Sequence, residues 1–300
     1  MNAASTLQLD TVDAAIVHEL RADGRLAFEA LAGRVGLSRA AARLRVRRLL
    51  DSGALRVVGV LHPAVRGVGA SAHLSIGVRG TAADAAAAVA ALPAVASVSV
   101  TTGRHPVSAE VRAGDLERLS AAVEGVRALP RVSTAAAAVH TRTLKDPYLG
   151  SAPPPRISPD ETDRRLLGLL ESDGRSSFAE MAGRVGLSAG AVRSRVKRLL
   201  ESGAVRVTAL LDPAAAGMAV HGGFAARLEN DADAAAESVA QTDDVRFLAR
   251  CLGPADAIGT IAAASPTTLH EAFDRLRGLP GVRLTRTWLH LAHVKDYYDA

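Results

Sequence analysis

Two stretches of the chain array cations as a helix would present them to a polyanion. SRAAARLRVRRLL, from Ser38, carries Arg39, Arg43, Arg45, Arg47 and Arg48; SAGAVRSRVKRLL, from Ser188, carries Arg193, Arg195, Lys197 and Arg198. At about 100° per residue, Ala42, Val46, Leu49 and Leu50 gather on one side of the first helix. Val192, Val196, Leu199 and Leu200 do so in the second, and the cations fan around the opposite side of each. No acidic residue interrupts either run before Asp51 or Glu201, which look like surface charges at the helix ends. An ordinary solvated face mixes both signs of charge. Cations arrayed this way neutralise phosphates, and arginine pairs bidentately with guanine edges in the major groove. Ser38 and Ser188 are placed to cap their helices by accepting orphan backbone N–H bonds. The expected partner is therefore double-stranded DNA, contacted by these nine cations and two serines. Leu44 lies near the centre of the first exposed face and Ser194 at the same place in the second. The leucine either meets a thymine methyl or is chance divergence.

Other reactive side chains offer less. Cys251 is the sole cysteine, which excludes an internal disulfide and any Cys-based zinc site. It reads as a small hydrophobe at a strand end, with Arg250 a weak hint of reactivity. His290-x-x-His293 is the one histidine spacing of interest, and strand alternation would turn the two rings to opposite faces, poor geometry for one ion. No glycine-rich loop matches a nucleotide fingerprint. Neither a catalytic residue, a metal nor a cofactor is expected.

The elements that must position the cations are written twice. DGRLAFEALAGRVGLSRAAARLRVRRLLDSGALRVVGVLHP begins at Asp23, and a second copy begins at Asp173 with 25 of 41 positions identical. The same offset carries Gly103 onto Gly253, Leu129-Pro130 onto Leu279-Pro280, and Lys145-Asp146 onto Lys295-Asp296. Each copy is long enough to hold a core of its own. A helix with apolar Val12, Ile16, Val17 and Leu20, a second over Phe28 to Val35, and a third from Arg39 to about Ser52 form a helix-turn-helix. Gly36 makes the turn and Gly53 the C-cap. Leu55 to Leu61 alternates as a strand or wing. The rest of each half reads βαββαβ, the ferredoxin-like order.

The fold class is α+β, two copies of a winged helix-turn-helix followed by a ferredoxin-like domain. The expected domains are 1–64 and 65–147, a proline-rich linker at 148–158 that reads as extended and semi-rigid, then 159–214 and 215–300. A tandem duplication of this kind is expected to mimic a homodimer. With 300 residues, 48% hydrophobic, 22% charged and 3% aromatic, the chain can bury real cores but offers no broad base-stacking platform. Its net charge of +5 suits a nucleic acid only where it is concentrated. The N-terminus is not expected to be a signal peptide, and the uncharged run Ala85 to Gly103 reads as a helix passing into a strand rather than a membrane span. A cytoplasmic protein without a membrane partner is expected.

These motifs resemble the Lrp/AsnC family, the leucine-responsive and asparagine-operon regulators. The resemblance rests on Leu9, Asp10 and Asp13, Asp23 to Arg25, Leu31 to Ser38, Arg45 to Leu49, Gly53 and Pro63, and it recurs in the second half. It implies a sequence-specific transcriptional regulator and not an enzyme, fused in tandem where the family usually has one unit per chain. It also implies a small effector, commonly an amino acid, and assembly through the ferredoxin-like sheets into dimers or tetramers of the fused chain. The family's ligand turn, a Gly followed by an Asp, maps onto Gly253 and Asp256. In the first half it maps onto Gly103, with Pro106 where the Asp would be, so one effector site per chain is expected. Asp256 alternatively only caps a turn. Siroheme decarboxylases share the two-domain layout, sometimes fused in pairs. On that alternative His105, His221, His290 and Arg250 would serve a tetrapyrrole.

Overall fold

A computed structural model describes residues 9–149, 155, 157–211 and 220–295, so most of the proline-rich linker lies outside the described residues. In chain order the first half comprises α1 (Thr11–Ala22), α2 (Phe28–Val35), α3 (Arg39–Asp51), β1 (Leu55–Leu61), β2 (Ala70–Val78), α4 (Ala82–Ala90), β3 (Val95–Thr101), β4 (Val107–Ala113), α5 (Leu116–Arg127) and β5 (Val132–Lys145). The second half repeats them as α6 (Glu161–Ser172), α7 (Phe178–Val185), α8 (Ala189–Glu201), β6 (Val205–Leu211), β7 (Val220–Leu228), α9 (Ala232–Ala240), β8 (Val245–Leu252), β9 (Ala257–Ala263), α10 (Pro266–Arg277) and β10 (Val282–Lys295).

Contacts divide the chain not into these halves but into two composite units. One joins Met1–Arg66 with Ala152–Gly217, the other Gly67–Ser151 with Met218–Ala300. In the first unit β1 has no partner strand in its own half. It pairs antiparallel with β6, from Leu55 opposite Leu211 to Leu61 opposite Val205. Val58 faces Thr208, its own counterpart in the repeat, so the pseudo-twofold passes through that pair. The stretch read as a strand or wing is thus an arm that zips the two copies together. Its apolar side completes a core of Ile16, Leu20, Leu31 and Leu49 with their counterparts Leu166, Leu170, Met181 and Leu199.

The duplicated Asp-Gly-Arg is the clasp beside this arm. The Gly24 N–H donates to the Val207 carbonyl at 2.9 Å and the Gly174 N–H to Val57 at 2.8 Å. A Cβ at Gly24 would lie 2.8 Å from Val207, and one at Gly174 would lie 2.6 Å from the same valine. Arg25 donates to the carbonyls of Gly174 and Ser176, and Arg175 returns the contact to Gly24 and Leu26. Each guanidinium also covers the phenyl ring at the start of the other copy's second helix, Arg25 on Phe178 and Arg175 on Phe28.

In the second unit each half folds as βαββαβ. The sheets β3-β4-β2-β5 and β8-β9-β7-β10 join edge to edge into a closed eight-stranded barrel. The joints are β5 with β8 and β10 with β3, and closure leaves no free edge. Alternate residues of each strand pack outward under helices: Leu74, Ile76, Val107 and Val111 are fully buried on one side, Phe224, Leu248 and Ile261 on the other. The remaining residues face the lumen.

Candidate nucleic-acid interface and barrel lumen

The recognition helices begin where expected. The Ser38 hydroxyl accepts from the Ala41 N–H and Ser188 from Ala191, both at 3.2 Å. Gly36 and Gly186, at φ +69 and +72, close α2 and α7 in the left-handed region, which favours glycine. Ser52, rather than Gly53, is the C-cap of α3, and Gly53 follows it with φ +73. Ala42, Val46 and Leu49, like Val192, Val196 and Leu199, are buried.

Not all the cations face outward. Arg45 donates to Asp10 at 2.6 Å and to Asp13 at 2.9 Å, and Arg48 also binds Asp13. Asp10 and Asp13 form the capping box of α1, and Asp13 is 1% exposed. Arg195 and Arg198 repeat the arrangement on Asp160 and Asp163. The Arg45 hydrogen bond holds the Asp10 carboxyl below its ordinary value, and the guanidinium is correspondingly raised. Breaking such contacts would strand a buried carboxylate, so these four arginines fasten the helices together. The picture of all the cations fanning away from the core is corrected accordingly. The reason lies outside the helix itself: the N-terminus of α1 abuts that side of α3.

Arg48 and Arg198 keep about half of their side-chain surface accessible even so, and the set that is exposed and free of a buried carboxylate is smaller. Arg39 and Arg47 are 72% and 74% exposed, with carboxylates no nearer than 3.9 Å and 4.0 Å, and Lys197 lies 3.6 Å from Glu201. Exposed pairs of this kind contribute little and exchange readily for phosphate. Arg43 and Arg193 are exposed and have no carboxylate partner among the described residues. Arg39, Ala40, Arg43, Leu44 and Arg47 line a shallow concavity. Leu44, 70% exposed, is the most exposed large hydrophobic residue described.

The expected effector turn is taken up internally. Asp256 accepts from Arg227 at 2.8 Å and from the Leu228 N–H at 3.0 Å. Burial raises its carboxyl, but these two contacts outweigh that and leave it below its ordinary value. The first half has Gly77 and Pro106 at the positions of Arg227 and Asp256, so the two partners are present or absent together. Gly253 sits against the Ala137 carbonyl, whereas the space beside Gly103 is open.

The lumen holds what sequence reasoning passed over. His73, Ser75, Glu110, Arg112 and His140 line it from the first half. Ala225, Phe247, Ala249, Cys251, Ile258 and Trp288 line it from the second, together with Arg286 and His290. Arg286 donates to His105 Nδ1 at 2.9 Å and to Ser75 Oγ at 2.5 Å, and lies over the Trp288 ring at 4.7 Å. Trp288 donates to His290 Nε2 at 3.3 Å, and the His73 ring is 5.5 Å from it. His290 and His293 do not point apart. Their rings stack 5.5 Å apart because β10 shifts register within the pair, between His290 and Ala292, and again after His293, which breaks strict alternation. Among the described residues no group of three or more such side chains could hold a metal ion. Arg250 does not join the histidines, since it is tied to Asp233 at 2.6 Å under α9. Burial pushes the Cys251 thiol up to about 12, which makes it unreactive.

Paired helix-turn-helix modules and a paired ferredoxin-like barrel define a duplicated DNA-binding protein. The AsnC-type helix-turn-helix domain matches residues 9–50 and 160–200, and the Lrp/AsnC ligand binding domain matches residues 71–149. The chain belongs to the Lrp/AsnC family, whose members are transcriptional regulators that bind DNA. It is 34% identical over 141 residues to an uncharacterized HTH-type transcriptional regulator of Pyrococcus furiosus, covering 46% of this chain and 95% of that one. It is 31% identical over 132 residues to the HTH-type transcriptional regulator LrpA of Mycobacterium tuberculosis, covering 43% and 87%. Across both halves it shares a fold with the siroheme decarboxylase NirDL, solved with an iron-uroporphyrin III analogue. That match has a TM-score of 0.65, covers 95% of this chain and 93% of that one, and has 15% identity, a likeness of fold alone. Among the described residues no helix is long and apolar enough to cross a membrane.

Proposed function

We propose that this chain is a regulator, not an enzyme, that reads two half-sites of one operator. Arg39, Arg43, Leu44 and Arg47 read one, and Arg193 and Lys197 the other, with Ser38 and Ser188 at the helix starts beside the phosphates. Arg45, Arg48, Arg195 and Arg198 hold the helices in place and add positive potential. The observation that carries this reading is the pair of exposed cationic faces without buried carboxylate partners. A small effector held by the barrel unit, an amino acid in the family's manner, modulates the binding. Gly253, Asp256 and Gly103 remain its proposed turn, with Asp256 freed only if a ligand displaces Arg227. Exposed Leu116, Leu252 and Leu291 support association of further copies, which light scattering measures.

Sequencing the DNA recovered with the protein from its own cells supplies the operator. A mobility shift on that DNA should then weaken by about 10³-fold between 50 and 200 mM salt if six or more phosphates are contacted. Affinity indifferent to salt contradicts the proposal. Siroheme added to the chain should give no tight Soret-shifted complex and no turnover; both together would favour the decarboxylase reading.

A further inference from the structure

The lumen of the barrel carries a half-buried cation without a counter-ion among the described residues. Arg286 reaches from β10 toward the polar wall, yet its two terminal nitrogens meet neutral acceptors, His105 Nδ1 and Ser75 Oγ. No described carboxylate forms an ion pair with it, because Glu110 is engaged by Arg112 at 2.7 Å. Its Nε–H is buried with no hydrogen-bond partner. A desolvated guanidinium left this way is costly unless something anionic joins it. Burial alone lowers its pKa, with no carboxylate opposing the shift.

Further donors lie around the same ring. Trp288 Nε1 can only donate, so His290 Nε2 is the acceptor and the proton of the neutral imidazole sits on Nδ1. That Nδ1–H is buried and unpartnered, as is Nε2 of His73. Arg286, His290 and His73 thus surround Trp288, whose neighbours on the second-half wall are Ala225, Ala249 and Ile258. There is also space. Side chains packed under the helices on these strands, such as Leu74 and Val111, are fully buried, while Glu110, facing inward in a closed barrel, keeps 22% of its surface accessible. His73, Arg286 and His290 are likewise only partly covered. Inward side chains that keep accessible surface, a polar wall with unused donors and an apolar wall together have the composition of a ligand site.

We infer that the lumen binds one small organic carboxylate per chain, its carboxylate on Arg286 beside Trp288 and its apolar part against the Ala225–Ile258 wall. Glu110 is already committed to Arg112, so a ligand ammonium would find no free carboxylate; an acid without an amino group is preferred over an amino acid. The repeat allows one such site, because the first half has Ala136 and Ala138 at the positions of Arg286 and Trp288. This inference rests on the barrel being a ligand-binding unit and not on the reading of DNA.

Trp288 is the only tryptophan in the chain, so its emission reports on the lumen. The full-length protein, without DNA, is titrated with acetate, 3-methylbutanoate, valine (the 2-amino form of the latter) and 3-methylbutan-1-ol. The expected result is a saturable change with at least one carboxylate in the millimolar range or below, one equivalent per chain by calorimetry. Valine and the alcohol should bind at least about tenfold more weakly, the alcohol for want of the charge-assisted bonds. Arg286→Gln should weaken the carboxylate by a similar factor, and Arg250→Gln, on the other face of its sheet, should not. The carboxylate-to-alcohol ratio in the unaltered chain decides the matter even if Arg286→Gln fails to fold. No response to either carboxylate, or equal responses to 3-methylbutanoate, valine and the alcohol, overturns the inference. Neither outcome touches the DNA reading.

Discussion

The two units descend from the same duplication and have used it in opposite ways. In the helical unit the copies repeat the contacts that fasten the recognition helices: Arg45 and Arg195 both lie 2.9 Å from the second aspartate of a capping box. The Asp-Gly-Arg clasps are reciprocal, and the central arm pair joins equivalent residues. In the barrel the outer cores match while the lumen does not. His73 corresponds to Gly223, Glu110 to Thr260, Arg112 to Ala262, Ala136 to Arg286, and Ala138 to Trp288. Large residues of one half fill space left by small residues of the other. Two similar half-sites on a duplex reward symmetry, whereas one ligand in one cavity does not. Duplication within a single chain lets both solutions coexist.

The comparison breaks most visibly at the exposed arginines. Arg43→Glu with Arg193→Glu should abolish retention in a mobility shift while circular dichroism and the melting temperature stay unchanged, because neither residue has an ion-pair partner among the described residues. Asp13→Ala should do the reverse. It removes a buried acceptor from Arg45, Arg48 and the capping box, and about 2 kcal/mol of stability with it, measured by denaturant unfolding. Asp163→Ala should cost about the same, since the copies match here.

The lumen should show no such equivalence. A Cβ on Gly223 would sit 2.1 Å from the Trp288 ring, so Gly223→Ala should destabilise by about 1–3 kcal/mol. His73→Ala at the equivalent place in the repeat should instead leave a gap and shift the Trp288 emission. A smaller effect is expected with pH. Burial lowers the pKa of His73 and His140, and that of His290 to about 3. Between that value and the unfolded value near 6.5 the unfolded chain binds more protons. The stability from neutral burial is therefore complete above about pH 6.5 and is lost as pH falls below it, by at most about 1.4 kcal/mol per pH unit for each histidine. Urea midpoints read from Trp288 emission at pH 7 and 5.5 test this; a midpoint that rises on acidification would contradict it.

Much of the fold was legible because identity between copies marks what both must do. The helix-turn-helix, its serine caps and the βαββαβ order all follow from local pattern. The roles of Arg45 and Arg48 were not legible from the helix alone, since its own periodicity says nothing about a neighbouring helix end. A usable signal did exist: Asp10-x-x-Asp13 and Asp160-x-x-Asp163 each gather two carboxylates that need a cation. The stacking of His290 on His293 depends on irregularities in β10 that alternation cannot foresee. The lumen was missed because its signal is disagreement between copies. Gly223 against His73, and the two alanines against Arg286 and Trp288, look like neutral divergence until both halves enclose one space.

The central claim is that each copy of the recognition helix reads its own half of one operator. Footprinting the recovered operator with Arg43→Glu alone and Arg193→Glu alone, at protein concentrations raised to restore occupancy, tests it most directly. Each single variant should lose protection over one half-site and keep the other, with the protected halves about one helical turn, or a multiple of it, apart. Full protection by both single variants, or loss of the same half by both, would contradict the account.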